Sequence, residues 1–346
     1  MISSHTGFQP LKTVWLGDVY PINFYDHYRS DLRDSLCKLT EATKNDLKNV
    51  ESKLLELGVT VQRPKFGAMD LYMSNNLLTK PPICPRDWAL TLGNTLYITP
   101  QYESGIEPWQ WAIDEYVSAG CNVKILKRFC DNPDPQNCVN YPGVVRVGKD
   151  VYVDYSKNNK LQANNVQIVL NEWSKNYRIH VTHTGDHVDG IFCPVRPGQI
   201  FSTHYRKKYA STFPNWDVFF LTDTTKRSKT NGFNNRWLRK DHYLPYFSDN
   251  LISYASQWLG NSNETVFEVN MLVVDEKNVI CIAEDDAACK KLESMGITPH
   301  VVNFQTRGFW DGGIHCITLD IHREGDCLDY WPDRGPNGIY NSEYVN

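Results

Sequence analysis

Apolar residues in this chain recur at helical spacing in some stretches and crowd into short runs in others, and the two patterns alternate. The spacing predicts a helix over residues 43–57, with Leu47, Val50, Leu54 and Leu57 on one face. Gly58 supplies a stop, and Val59, Thr60 and Val61 open a strand before Pro64. A first strand is expected over 13–16, ending at Gly17. The helix–glycine–strand order returns at 111–119, Gly120 and 123–126, and again at 287–295, Gly296 and 297–302. Residues 166–173 followed by 179–181 read as a weaker copy. One such junction is commonplace, but four, separated by roughly 60 residues or more, point to one repeated α/β module rather than two unrelated domains. Long loops are expected at 131–143, rich in Pro and Asn, and at 226–241, rich in polar and basic residues.

Composition narrows the classes. With 41% hydrophobic and 22% charged residues, the 346-residue chain is globular rather than extensively disordered. A net charge of −4 gives no reason to expect nucleic acid as a partner. No run of eighteen apolar residues predicts a membrane span, and residues 1–10 do not read as a secretory signal. The ten cysteines include no CxxC pair, so neither a zinc knuckle nor a thioredoxin-type site is suggested. A reduced cytoplasmic chain is the expectation, and the sequon at Asn263 is read as chance.

Three segments could carry chemistry. In Gly312-Gly313-Ile314-His315-Cys316, a glycine pair leads a cysteine into an expected strand. Glycines allow unusual backbone angles and close approach of a ligand, which makes Cys316 a candidate nucleophile; ordinarily such a thiol is simply buried. On a strand, His315 would face away from Cys316, so the two are not paired. In His187-Val188-Asp189, a spacing of two puts both side chains on one strand face, as acid/base and cation holder or as a structural pair. Arg86-Asp87 is by itself an ordinary solvated ion pair.

Together these segments resemble the amidinotransferases of the pentein, or guanidino-group modifying, superfamily, which includes the glycine and inosamine-phosphate enzymes. The resemblance runs along most of the chain: residues 8–14, 85–94, His187-Val188-Asp189 with Pro197-Gly198 and Arg206, 269–277, 295–297 and 313–316. It implies a single domain over 1–346, an α/β fold built as a five-bladed propeller of ββαβ modules. It implies Cys316 as nucleophile, His187 as general acid/base, Asp87 and Asp189 as grips for the donor guanidinium, and Arg206 as a carboxylate binder. For Arg206, in Tyr205-Arg206-Lys207-Lys208, a solvated basic turn is the plain alternative.

The chemistry suits these residue types. A guanidinium stays protonated below a pH of about 12, and two carboxylates can hold its plane before a thiolate. The activity implied is amidino transfer from L-arginine to an amine through an amidino-cysteine, releasing ornithine, with neither metal nor organic cofactor. Hydrolysis to ornithine and urea, deimination to citrulline, and a silent binding protein are the alternatives. Expected partners are small molecules, and pentein relatives are often dimers, so a homodimer is one expectation. The chain also departs from the family. The carboxylate that orients the catalytic histidine falls, by spacing, on Asn140, with Asp134 a substitute; Asp311 replaces a glycine; and residues 262–264 replace a substrate-binding segment.

Overall fold

The computed structural model describes residues 1–74, 77–98, 103–125, 141–154, 171–182, 187–203, 209–221, 269–282, 286–310 and 312–335. Among the described residues, five three-stranded sheets share one plan, an antiparallel pair followed by a parallel third strand. The first joins β1 (Leu11–Leu16) to β2 (Thr60–Gln62) in parallel and to the last described strand, β17 (Thr318–Arg323), antiparallel. A two-stranded ribbon, β3 (Met73–Ser74) and β4 (Leu77–Leu78), follows. The second sheet holds β5 (Ala89–Leu92), β6 (Thr95–Ile98) and β7 (Asn122–Ile125). The third holds β8 (Val144–Val147), β9 (Asp150–Asp154) and β10 (Arg178–Thr182). The fourth holds β11 (Phe192–Arg196), β12 (Gln199–Ser202) and β13 (Asp217–Phe220). The fifth holds β14 (Leu272–Asp275), β15 (Asn278–Cys281) and β16 (Thr298–Val301).

Three of the four expected junctions are where the pattern placed them, and their cause is local. Gly58, Gly120 and Gly296 have φ of 78°, 74° and 74°, the left-handed region that penalises any side chain. Each is followed by the same pair of bonds: Val59 N–H to Leu54 and Gly58 N–H to Leu55, then Cys121 to Tyr116 and Gly120 to Val117, then Ile297 to Leu292 and Gly296 to Glu293. These Schellman closures satisfy the last helical carbonyls and turn the chain directly into the parallel strand. The first helix, Ser30–Glu56, begins thirteen residues earlier than the apolar spacing indicated. Its buried face continues through Leu36, Leu39, Thr40, Thr43 and Asp46, and the polar members interrupt the apolar stripe. Helices Gln110–Ser118 and Asp286–Ser294 match the expected ones within a residue. Most of the copy at 166–173 and the loop at 226–241 lie outside the described residues, as does 131–140.

Core residues are shared between sheets adjacent in chain order. Trp15, Leu319 and Ile321 pack with Leu96 and Ile98, joining the first sheet to the second around Trp109, which stacks on Trp15 at 4.4 Å. Leu90 and Leu92 meet Val144, Val151 and Val153, joining the second to the third. Val147, Phe192, Ile200, Val273 and Val279 lie in one cluster spanning the third, fourth and fifth. Leu272, Val274 and Ile280 then pack with Val14 and Leu16, bringing the fifth sheet back to the first. Cys84 and Cys316 lie in that last cluster. No described helix is long and apolar enough to cross a membrane.

Candidate active site

The turn Ile314–Ile317, between the glycine pair and β17, carries both His315 and Cys316. Because it is a turn, the two adjacent side chains are not thrown to opposite faces. His315 Nδ1 lies 2.8 Å from Asp189 Oδ2, and Cys316 Sγ lies 3.5 Å from the same oxygen. The expectation that His315 points away from the cysteine's surroundings is therefore corrected. The strand reading of His187–Asp189 fails in the same manner. Val188–Gly190 is a single 3-10 turn with His187 leading into it, closed by Gly190 N–H to His187 O at 3.1 Å.

Asn270, fully buried just before β14, grips the cysteine at two points. Its Oδ1 accepts the Cys316 backbone N–H at 3.1 Å, and its Nδ2 lies 2.9 Å from Cys316 Sγ and 3.4 Å from Asp189 O. Its own carbonyl accepts His315 N–H at 3.2 Å. The glycine pair serves this packing rather than unusual angles, since neither glycine has positive φ. A Cβ on Gly313 would stand 2.6 Å from Asn270 Oδ1, and one on Gly312 would stand 3.0 Å from Cys316 Cβ and 3.1 Å from Cys84 Sγ.

Charge is arranged behind this cluster. Arg86 is not a solvated partner: it is 2% exposed. Its Nε donates to the carbonyls of His315 at 3.0 Å and Thr318 at 3.1 Å, and its Nη2 pairs with Asp320 at 2.7 Å. Asp320 also pairs with Arg146 and with Arg323, so one carboxylate with no exposure faces three buried guanidiniums. Burial opposes the ionised form of Asp320, but those arginines hold its carboxyl well below the usual range. Burial likewise pushes Asp189 up, and the His315 hydrogen bond with the charges of His315, His187 and Arg86 outweighs it, leaving the carboxyl lowered. His315 is lowered by burial and by Arg86. At neutral pH the pair is thus carboxylate and neutral imidazole, with Nδ1–H donating to Asp189. Asp189 Oδ1 is buried without a hydrogen-bond partner among the described residues. Asp189 and His315 border a cavity of about 30 Å³ that Arg86, Arg146 and Cys193 also line. Burial pushes the Cys193 thiol up to about 12, which leaves it inert.

An unpartnered buried carboxylate oxygen beside a clamped cysteine is an arrangement suited to holding a cation before a sulfur nucleophile. No protein-family model matches the chain. It is 25% identical over 191 residues to L-arginine:L-lysine amidinotransferase of Pseudomonas savastanoi pv. phaseolicola, which is 54% of this chain and 44% of that one. It is 22% identical over 376 positions to inosamine-phosphate amidinotransferase 1 of Streptomyces glaucescens, covering 95% of this chain and 99% of the relative. The solved inosamine-phosphate amidinotransferase of Streptomyces griseus superposes with a TM-score of 0.70 at 19% identity, covering 95% and 99% of the two chains.

The chain is amidinotransferase-like in sequence and fold.

This amidinotransferase-like chain matches less than half the length of the arginine:lysine enzyme. Dimethylarginine dimethylaminohydrolase shares the fold more distantly, with a TM-score of 0.52 at 13% identity over 89% of this chain and 99% of that one. Of the residues singled out in the sequence, Cys316 and Asp189 are brought together, and His187 lies within electrostatic reach of Asp189. Asp87 sits in the turn Pro85–Asp87 beside Arg86, and its described partner is Lys80, with Nζ to Oδ2 at 3.5 Å. Arg206, Asn140, Asp134 and Asp311 lie outside the described residues. Asn270, His315, Arg86 and Asp320 are the members that sequence reasoning left without a role. The one signal for Asn270 was its place in the 269–277 segment of the family resemblance.

Proposed function

We propose that the protein transfers an amidino group from L-arginine to an amine acceptor through an amidino-cysteine, releasing ornithine. The observation that carries this reading is the meeting of Cys316 Sγ and His315 on Asp189 Oδ2, with Asp189 Oδ1 left open. The amidinotransferase relatives support it, and arginine as donor is supported by the arginine:lysine enzyme alone. The five sheets, each packed on its neighbours in chain order, are read as blades of one propeller over 1–346. A cytoplasmic setting, where thiols stay reduced, and a homodimer go with this reading.

In the resting state the Cys316 thiol faces the Asp189 carboxylate, whose charge disfavours a second anion beside it. A guanidinium bound against Asp189 Oδ1 removes that penalty, so the donor itself promotes the thiolate. Asp87 would hold the other side of the cation in exchange for Lys80. Sγ then bonds to the guanidinium carbon, and the bond from that carbon to the ornithine nitrogen breaks as His187 protonates the departing amine. The acceptor amine attacks the same carbon, loses its proton to His187, and expels the thiolate. Arg206 would bind the donor carboxylate, and Asn140 would orient His187.

Hydrolysis is the second reading, and the fold shared with dimethylarginine dimethylaminohydrolase favours it. Water in place of the amine gives ornithine and urea. The test is a product assay with arginine, with and without a panel of amines, and a Cys316→Ala control. Ornithine that appears only with an amine, together with a new guanidino product, is the expected result. Ornithine and urea without amine would replace transfer with hydrolysis, and full activity in the alanine variant would sink the covalent route.

A further inference from the structure

Among the described residues, Asn270 makes the closest polar approach to the Cys316 sulfur, at 2.9 Å. Its orientation is fixed by its partners rather than chosen. The Cys316 backbone N–H can only donate, so the carboxamide oxygen must face it, 3.1 Å away. The amide nitrogen then faces Sγ at 2.9 Å and the Asp189 carbonyl at 3.4 Å, both of which can accept. A flipped carboxamide would set oxygen against carbonyl oxygen and an N–H against an N–H. Gly313 packs where a Cβ would collide with this side chain, so the orientation is also held sterically.

We propose that Asn270 is a catalytic residue whose side-chain N–H stabilises the Cys316 thiolate and holds the sulfur in place through the transfer cycle. The donor also offsets Asp189 Oδ2, an anion 3.5 Å from the same sulfur, whose charge opposes the thiolate. A hydrogen bond to a charged acceptor is about twice as strong as one to a neutral group, so the contact favours the thiolate over the thiol. It costs no reorganisation, because Asn270 is already oriented before ionisation. The inference concerns the ionisation of Cys316. Only its value to catalysis rests on the amidino transfer proposed above.

The experiment is the rate of Cys316 alkylation by iodoacetamide as a function of pH, followed by mass spectrometry of the Cys316 peptide in the full-length protein. Asn270→Ala is expected to raise the pH midpoint by about 1 unit, a tenfold slower reaction at neutral pH, with the high-pH plateau within about threefold of the unsubstituted protein. Asn270→Asp, which replaces the donor by a carboxyl, is expected to raise it further. A structural role alone would lower the unfolding temperature and leave the midpoint in place. A midpoint in Asn270→Ala within about 0.3 unit of the unsubstituted protein overturns the inference. Should both variants fail to fold, the unsubstituted protein decides. The Asn270 side-chain amide resonance, observed with asparagine-selective 15N labelling, is expected to titrate with the alkylation midpoint, and a resonance indifferent to that titration overturns it. The assay needs neither arginine nor acceptor. A protein that transfers nothing would still return the shift, and an active transferase with an unmoved midpoint would refute this inference alone.

Discussion

Replacing Asp320 by Asn removes the one carboxylate shared by Arg86, Arg146 and Arg323 without changing the size of the side chain. The three arginines are 2%, 3% and 1% exposed, so water cannot take over the lost charge. They are not left bare: Arg86 retains two backbone carbonyls, Arg323 retains Gln9 O and Arg146 retains Ser4 Oγ at 2.7 Å. Those dipoles keep the penalty far below the cost of stranding isolated ions. Breaking a buried pair by removing one partner costs about 3–5 kcal/mol, and three dependent cations place Asp320→Asn at the upper end. Against a total stability of about 5–15 kcal/mol this is a large fraction. Urea unfolding followed by tryptophan fluorescence measures it directly. Arg146→Met introduced into Asp320→Asn should recover part of the loss, since it removes one stranded cation. A single variant within about 1 kcal/mol of the unsubstituted protein would refute the view that Asp320 is the electrostatic keystone of the turn carrying Cys316.

Two further outcomes follow from the same neighbourhood. Gly313→Ala sets a methyl 2.6 Å from Asn270 Oδ1; it should destabilise by about 1–3 kcal/mol and, by displacing the carboxamide, slow Cys316 alkylation at neutral pH, both read on the purified variant. Asp46 accepts Gln305 N–H at 2.7 Å, and burial nonetheless pushes its carboxyl from 3.8 up to about 6. Between those values the folded chain holds a proton that the unfolded chain releases, so this group's contribution to stability falls as pH rises from about 4 to about 6. Asp46→Asn keeps an acceptor for Gln305 and should abolish that slope, raising stability at pH 7 by about 1–2 kcal/mol in urea titrations.

The parts of this fold that were legible in sequence are those fixed within a few residues. A Schellman closure involves only six residues, the glycine among them, which is why Gly58, Gly120 and Gly296 could be placed from the pattern alone. The start of Ser30–Glu56 was not legible because Thr40, Thr43 and Asp46 face inward, Thr40 toward Tyr25 and the other two toward the segment before the cysteine. Thr43 accepts the Trp310 indole N–H and Asp46 caps Gln305, so polarity there marks a tertiary partner rather than a solvent face. Cys316 could be singled out, but its neighbours could not. Asn270 lies 46 positions away, and Arg86 lies 234 positions from Asp320. The alternation of a strand does not reach His315, because the turn before β17 carries it and Cys316 toward the same carboxylate.

The pairing of β1 with β17 has a consequence for how the protein is made. β1 is the middle strand of its sheet, yet one of its two neighbours is synthesised some 300 residues after it, which takes about 15–60 s at ordinary elongation rates. Until then β1 offers an unpaired edge, and the cysteine turn, which immediately precedes β17, has no closed sheet to anchor it. The surroundings of Cys316 are therefore assembled late, by the same strand that closes the first sheet. A nascent chain halted shortly before Thr318 would expose that edge to other chains while the turn around Cys316 still lacked its scaffold, so for this protein late arrest should favour aggregation.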